Sequence, residues 1–91
     1  MKIMNELPGN VRAKIMNKLE RLDLDSVHMG HASPKESDNE EFVVISRERD
    51  LETANCYSVY VYRRDENELY CYCNGLTYAD ALVCMGNYIN Y

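Results

Sequence analysis

The sequence lacks an apolar run that approaches the roughly 18 residues of a membrane-spanning helix. Its first ten residues, MKIMNELPGN, contain no continuous apolar segment of the kind found in secretory signal peptides. These two absences exclude a membrane span and a secretory leader as interpretations of the chain. We therefore expect a cytoplasmic protein with no membrane partner.

Motifs of catalysis and cofactor binding are also missing. The chain has no G-x-G-x-x-G segment, P-loop, G-x-S-x-G turn or H-E-x-x-H pair. Its 91 residues fit a single domain, residues 1–91. A two-layer domain of that size seldom forms the deep pocket that catalysis requires. We expect a non-enzymatic protein without a cofactor, and a small metal-dependent enzyme is the least favoured alternative.

Basic residues are too few and too dispersed for a general nucleic-acid interface. Ten Lys and Arg oppose fifteen Asp and Glu, which gives a net charge of -5. The single adjacent basic pair, Arg63-Arg64, is followed directly by Asp65 and Glu66. Phosphate backbones are bound by clusters of Lys and Arg. The composition predicts no direct contact with nucleic acid and favours a partner protein with a basic surface.

The spacing of the potential metal ligands is unlike that of a zinc site. Structural zinc sites use paired ligands on turns, whereas Cys71 and Cys73 lie on a predicted strand. Cys56 and Cys84 are isolated in the sequence. The H-x-x-H pair at residues 28 and 31 would place its rings on opposite faces of a strand. We predict no metal site and four free thiols that pack as small hydrophobic groups, with disulfides as the alternative.

Two segments have helical periodicity. Residues 7–24 place Val11, Ile15, Leu19 and Leu22 on one face, at spacings of four, four and three. The second helix begins after Thr77, which together with Asp80 makes a weak capping box. The apolar face of this second helix consists of Tyr78, Ala81, Leu82, Met85 and Ile89.

Three segments between the helices are typical of strands: 41–48, 56–64 and 68–74. A fourth strand, SVHMGHA at 26–32, would place Val27 and Met29 on one face. Short connections favour an antiparallel meander. The sequence thus predicts an α+β two-layer sandwich with an N-terminal helix, a three- or four-stranded antiparallel meander sheet and a C-terminal helix. Both helices are expected on one face of the sheet.

The three-stranded version of this order resembles double-stranded-RNA-binding domains in topology alone. Those domains carry a lysine cluster at the start of the last helix, and here that position reads Thr77-Tyr78-Ala79-Asp80. An aromatic sheet face also resembles that of single-strand binders, which need a positive groove. Because this chain has neither feature, the resemblance does not support nucleic-acid binding.

The segment CYSVYVYRRDENELYCYC, residues 56–73, predicts a tyrosine-rich hairpin. A three-residue loop ending at Asn67 in the left-handed conformation would pair Tyr62 with Tyr70 and Tyr60 with Tyr72. The four rings would then share one open face, and Val, Leu and Cys would face the helices. A face of this kind suits protein contact, and it is equally consistent with ordinary strand architecture.

These observations predict a non-enzymatic, acidic protein-binding module. The predicted contact residues are Tyr60, Tyr62, Tyr70 and Tyr72, supported by the carboxylates of Glu36, Asp38, Glu40 and Glu41. One specific version is a phage-encoded inhibitor of a host defence complex, in the manner of anti-CRISPR proteins, acting in the host cytoplasm on a basic nucleic-acid-binding surface. The alternative is a homodimer or other homo-oligomeric adaptor that buries the tyrosine face.

Overall fold

The computed structural model describes residues 9–32, 40–50 and 52–89. Along the chain it contains α1 (Gly9–Arg21), β1 (Leu24–His31), β2 (Glu41–Glu48), β3 (Tyr57–Arg63), β4 (Glu68–Leu76) and α2 (Tyr78–Ile89). The strands form one antiparallel sheet in the order β1-β2-β3-β4. This arrangement confirms the predicted α+β class, the meander and the version with four strands.

Helix α1 buries the apolar side that its sequence predicts. Val11, Ile15 and Leu19 are fully buried against the sheet. The helix ends earlier than predicted because Asp23 adopts a left-handed conformation with φ of 57°, which turns the chain into β1. Leu22 therefore lies in a turn and is 52% exposed rather than part of the buried stripe.

Helix α2 begins as its sequence predicts. The backbone N–H of Asp80 donates a hydrogen bond to Thr77 Oγ1 at 3.2 Å, which is the bond expected of an N-cap. Ala81 and Met85 are buried, whereas Tyr78 and Leu82 remain about two-fifths exposed. The buried stripe of α2 is thus narrower than predicted.

The two helices pack on opposite faces of the sheet, so the prediction that both lie on one face is wrong. Residues of α1 join a core with Phe42, Val44 and Tyr62. Residues of α2 join a second core with Val43 and Ile45, whose side chains point to the other face of the sheet. Because successive strand residues point to opposite faces, this split between neighbouring residues of β2 places the sheet between the helices. The molecule has three layers instead of two.

The central strand β2 shows why this arrangement is favoured. Phe42, Val43, Val44 and Ile45 are consecutive, and all four have no exposed surface. A strand with one face in solvent would alternate apolar and polar residues, whereas a continuous apolar run indicates burial on both faces. A helix on each face meets that requirement.

Strand β1 contains an irregularity that changes the predicted orientation of its side chains. Its register against β2 shifts between Ser26 and His28, so that Val27 is an extra residue. Val27 packs against the α2-side core and Met29 is buried in the α1-side core. The prediction that these two residues share a face is therefore wrong.

Candidate protein-binding groove beside strand β4

The pairing of β3 with β4 differs from the predicted register. Tyr62 lies opposite Leu69, Val61 opposite Tyr70, and Tyr60 opposite Cys71. The strands are joined by a four-residue turn, residues 64–67, instead of three residues. Asn67 does adopt the predicted left-handed conformation, with φ of 51°. A one-residue difference in register moves side chains to the other face, so the four tyrosines do not form one surface.

Tyr60 and Tyr62 belong to the α1 side of the sheet. Tyr62 has no exposed surface, and its hydroxyl donates a hydrogen bond to Asn67 Oδ1 at 2.6 Å. Tyr60 is half-buried and packs against the same core. Burial raises the pKa of both phenols, because their charged forms would lose hydration. These two predicted contact residues are structural in this fold.

Tyr70 and Tyr72 lie on the α2 side and are 43% and 52% exposed. Tyr70 follows normal alternation opposite Val61. The register shifts again between Val59 and Tyr60, which makes Tyr72 an extra residue between the partners Cys71 and Cys73. This bulge turns Tyr72 towards α2, where its ring lies 5.1 Å from that of Tyr88 in an edge-on arrangement.

The exposed tyrosines border a groove of about 380 Å³. It runs between β4 and the C-terminal part of α2, and it is lined by Val61, Arg63, Tyr70, Cys71, Tyr72 and Tyr88. The Arg63 guanidinium carbon lies 5.3 Å from the centre of the Tyr70 ring, within the range of a cation–π contact. Tyrosines thus make up half of the residues that line the groove.

Carboxylates hold the polar groups of the groove in place. Arg63 donates to Glu41 at 2.9 Å and to Glu66 at 3.3 Å. The hydroxyl of Tyr70 donates to Glu66 at 2.9 Å, and that of Tyr88 donates to Glu41 at 2.9 Å. The arginine is consequently neutralised, and the hairpin beside it also carries Asp65 and Glu68. The surroundings of the groove are acidic.

The same contacts set the protonation states in the groove. The hydrogen bond to Glu66 raises the pKa of Tyr70, and the bonds from Tyr70 and Arg63 lower the pKa of Glu66. Burial, followed by the hydrogen bond to Glu41, raises the pKa of Tyr88 to about 12. At neutral pH the phenols of Tyr70 and Tyr88 are therefore protonated donors and Glu66 is an anion.

The predicted acidic residues are dispersed. Glu36 and Asp38 lie outside the described residues. Glu40 accepts a hydrogen bond from Arg64 at 2.9 Å and lies 3.5 Å from His31. Glu41 supports Arg63 within the groove. Of the predicted carboxylates that are described, Glu41 alone takes part in the groove.

The cysteines and histidines are distributed over both sides of the sheet. Cys56 is buried, but Cys71 is exposed, which corrects the prediction that all thiols are packed inside. His28 contacts Tyr78 of α2 at 2.6 Å, whereas the His31 ring packs edge-on against Phe42 of the α1-side core. Within the described ranges, no group of three or more His, Cys, Asp and Glu side chains has the arrangement of a metal site.

Four lining residues of the groove were not predicted as contact residues from the sequence, namely Val61, Arg63, Cys71 and Tyr88, and neither was Glu66, which binds Arg63 and Tyr70. Tyr88 follows Cys84 by one helical turn and lies on the flank of α2 that faces β4. The position of Arg63 at the end of β3, shortly before the acidic residues Asp65, Glu66 and Glu68, is a signal of ion pairing that the sequence does offer. The bulge that directs Tyr72 towards Tyr88 has no comparable signal.

Comparisons with protein-family models, with curated proteins and with solved structures find no match to this chain. In the part of the chain that the structure describes, neither helix has the length and apolar character required to cross a membrane. The functional interpretation therefore depends on the geometry of the groove.

Proposed function

We propose that the chain is a non-enzymatic protein-binding module and that the groove beside β4 is its contact surface. The observation that carries this proposal is the exposure of Tyr70 and Tyr72, at 43% and 52%, along the groove between β4 and α2. Tyrosine provides a large contact area with few rotatable bonds, and it is enriched in protein interfaces.

The charges around the groove indicate the chemistry of the partner. Its one guanidinium, Arg63, is already bound by two carboxylates, Glu41 and Glu66. Glu68 is exposed beside them at the start of β4. Lysine and arginine side chains bind both to tyrosine faces and to carboxylates. We expect a partner segment that places a basic side chain in the groove, with apolar groups next to it.

Side-chain docking fits this strand better than the addition of a further strand does. β4 is an edge strand, but its nine residues face only seven of β3, and the register shifts twice along the pair. Bulges interrupt the regular backbone pattern that a new strand would need, and they protect edge strands from such pairing. The same irregularity opposes a homodimer formed by pairing of β4 with a second β4.

A peptide-selection experiment tests the proposal. A random-peptide library would be selected on the wild-type protein, and the affinities of enriched peptides would be measured by fluorescence anisotropy. We expect enrichment of Lys or Arg next to apolar residues. Tyr72→Ala should weaken binding about tenfold or more, since interface tyrosines are frequent hot spots. Glu68→Gln should weaken it chiefly at low salt.

Tyr78→Ala is the matched control, because Tyr78 is 39% exposed but contacts Tyr57 and His28 instead of the groove. It should leave affinity unchanged. Equal losses in both variants, or no enriched peptide that depends on Tyr72, would contradict the proposal. Sedimentation measures the oligomeric state of the protein. A dimer of the wild type that is lost in Tyr72→Ala would favour the alternative of a homo-oligomer.

A phage-encoded, anti-CRISPR-like inhibitor is a more specific version of the protein-binding module that we propose. An acidic aromatic groove can occupy a basic surface that normally binds nucleic acid. Such an inhibitor would compete with nucleic acid for its target, and groove variants would lose that competition in parallel with their peptide affinity.

A further inference from the structure

Two thiols meet between β4 and α2. The Cys84 S–H donates a hydrogen bond to Cys73 Sγ, and the two sulfur atoms are 3.4 Å apart. Cys73 reaches this position because the bulge at Tyr72 turns it towards the α2-side core. Both residues are half-buried, so small oxidants can approach them.

Burial of two thiols as small hydrophobic groups would explain their position but does not require that the sulfur atoms face each other. A disulfide has a sulfur–sulfur distance of about 2.05 Å. The observed distance between the sulfur atoms is therefore about 1.4 Å too long, a displacement that side-chain rotation and a small movement of α2 can provide. Cys56 is buried elsewhere, and Cys71 hydrogen-bonds to the backbone carbonyl of Cys73 instead of to a thiol.

We propose that Cys73 and Cys84 form a reversible intramolecular disulfide when the protein is exposed to hydrogen peroxide or an alkyl hydroperoxide. This oxidation site is independent of the proposed binding function. It depends only on the contact between β4 and α2.

The chemistry is a two-electron oxidation in two steps. The Cys73 sulfur attacks the peroxide, the O–O bond breaks, and a sulfenic acid is formed together with one water from hydrogen peroxide, or one alcohol from an alkyl hydroperoxide. The Cys84 sulfur then attacks the sulfenic sulfur, the S–O bond breaks, and a second water leaves with the Cys84 proton. In total, two thiols and one hydrogen peroxide give one disulfide and two waters.

The direction of the contact between the thiols favours this order, because Cys84 donates to Cys73 Sγ and a donated hydrogen bond stabilises the thiolate form of its acceptor. Burial, and then its hydrogen bond to Cys73, raises the pKa of Cys84 to about 11. Cys84 is therefore a protonated thiol at neutral pH and a poor first nucleophile. It is well placed as the resolving thiol, because it already lies beside the atom that becomes oxidised.

Peptide mapping tests this proposal directly. The folded Cys71→Ser variant would be treated with hydrogen peroxide, alkylated, denatured and digested with a protease that cleaves after Glu and Asp. Residues 69–80 then carry Cys73 and residues 81–91 carry Cys84 on separate peptides. We expect these peptides to be joined, with a mass two hydrogens lower than their sum, and to separate on treatment with dithiothreitol. Oxidation should also raise the thermal unfolding midpoint, since the bond closes a loop of the unfolded chain.

A second variant, which lacks Cys84, tests the order of the two steps, and a comparison in urea tests whether the fold brings the two thiols together. In Cys71→Ser/Cys84→Ser, dimedone should trap the sulfenic acid of Cys73, whereas the parent variant should yield little adduct. The disulfide should form faster in the folded protein than in urea. Unlinked peptides, persistent dimedone labelling with Cys84 present, or equal rates in the folded and unfolded chains would each overturn the proposal.

Discussion

Individual residues of the hairpin show most directly how a one-residue change of register decides which tyrosines are buried and which are exposed. Tyr62 and Tyr72 have the same side chain and belong to adjacent strands, but one ring has no exposed surface and the other is 52% exposed. The buried ring supports the α1-side core through Phe42, with ring centroids 6.4 Å apart. The exposed ring faces the groove. Substitution of Tyr62 should therefore affect chiefly the stability of the fold, and substitution of Tyr72 should affect chiefly binding.

Tyr62→Ala should lower the free energy of unfolding by about 3–5 kcal/mol, because it removes a fully buried ring. Tyr72→Ala should lower it by about 1 kcal/mol or less, as expected for a largely exposed side chain. Urea denaturation followed by far-UV circular dichroism measures both. If the two substitutions had similar costs, the assigned register of β3 and β4 would be wrong.

The position of each strand in the sequence was easier to predict than the register in which it pairs with the neighbouring strand. The sequence correctly predicts all of β2 and the left-handed Asn67, because both depend on residues within a few positions. The pairing of Tyr62 with Leu69 depends instead on a four-residue turn, and the orientation of Tyr72 depends on a bulge farther along the two strands that adds one residue to β4. Local propensity does not distinguish this turn from the three-residue loop that also accommodates Asn67.

At the scale of elements, a single arginine joins three parts of the chain. Arg49 follows β2 and donates to Glu20 of α1 at 2.8 and 3.2 Å, to Asp25 of β1 at 2.9 Å, and to the Leu24 carbonyl at 3.3 Å. The hydrogen bond from Arg49, and then its charge, lowers the pKa of Glu20. Arg49 thereby holds the end of α1 beside the first strand.

This network predicts a pH dependence. Since the folded-state pKa of Glu20 is lowered, its contribution to stability is present above the ordinary value of 4.5 and is lost as the pH falls through the lowered value. Arg49→Gln should therefore unfold at a lower temperature than the wild type at neutral pH, and the difference should shrink in acid and at high salt. Calorimetry across that pH range measures it. A difference that stays constant into strong acid would contradict this role of Arg49.

The placement of the helices also belongs to this scale. The sequence contains the deciding signal, since the uninterrupted run from Phe42 to Ile45 requires cover on both faces of β2. The apolar stripes of the helices do not by themselves assign a face, because either stripe can pack on either side of a sheet. The prediction of two layers was wrong on this point, although the order of the elements was correct.

The whole molecule is a thin, acidic domain with a separate small core on each side of its sheet. On the α1 side, the rings of Phe42 and Tyr62 are fully buried. On the α2 side, Tyr70 and Tyr72 of β4 remain exposed along the groove, and Cys73 and Cys84 meet between β4 and α2. This asymmetry makes the α2 side the functional side in our account.

Hydrogen–deuterium exchange with a peptide selected on the wild-type protein tests that account most directly. We predict that binding slows amide exchange in β4, Glu68–Leu76, and in the last turn of α2 around Tyr88, while α1 and β1 are unaffected. Tyr72→Ala should abolish this protection at the same peptide concentration. Protection confined to α1 or β1, with exchange in β4 unchanged, would contradict the account.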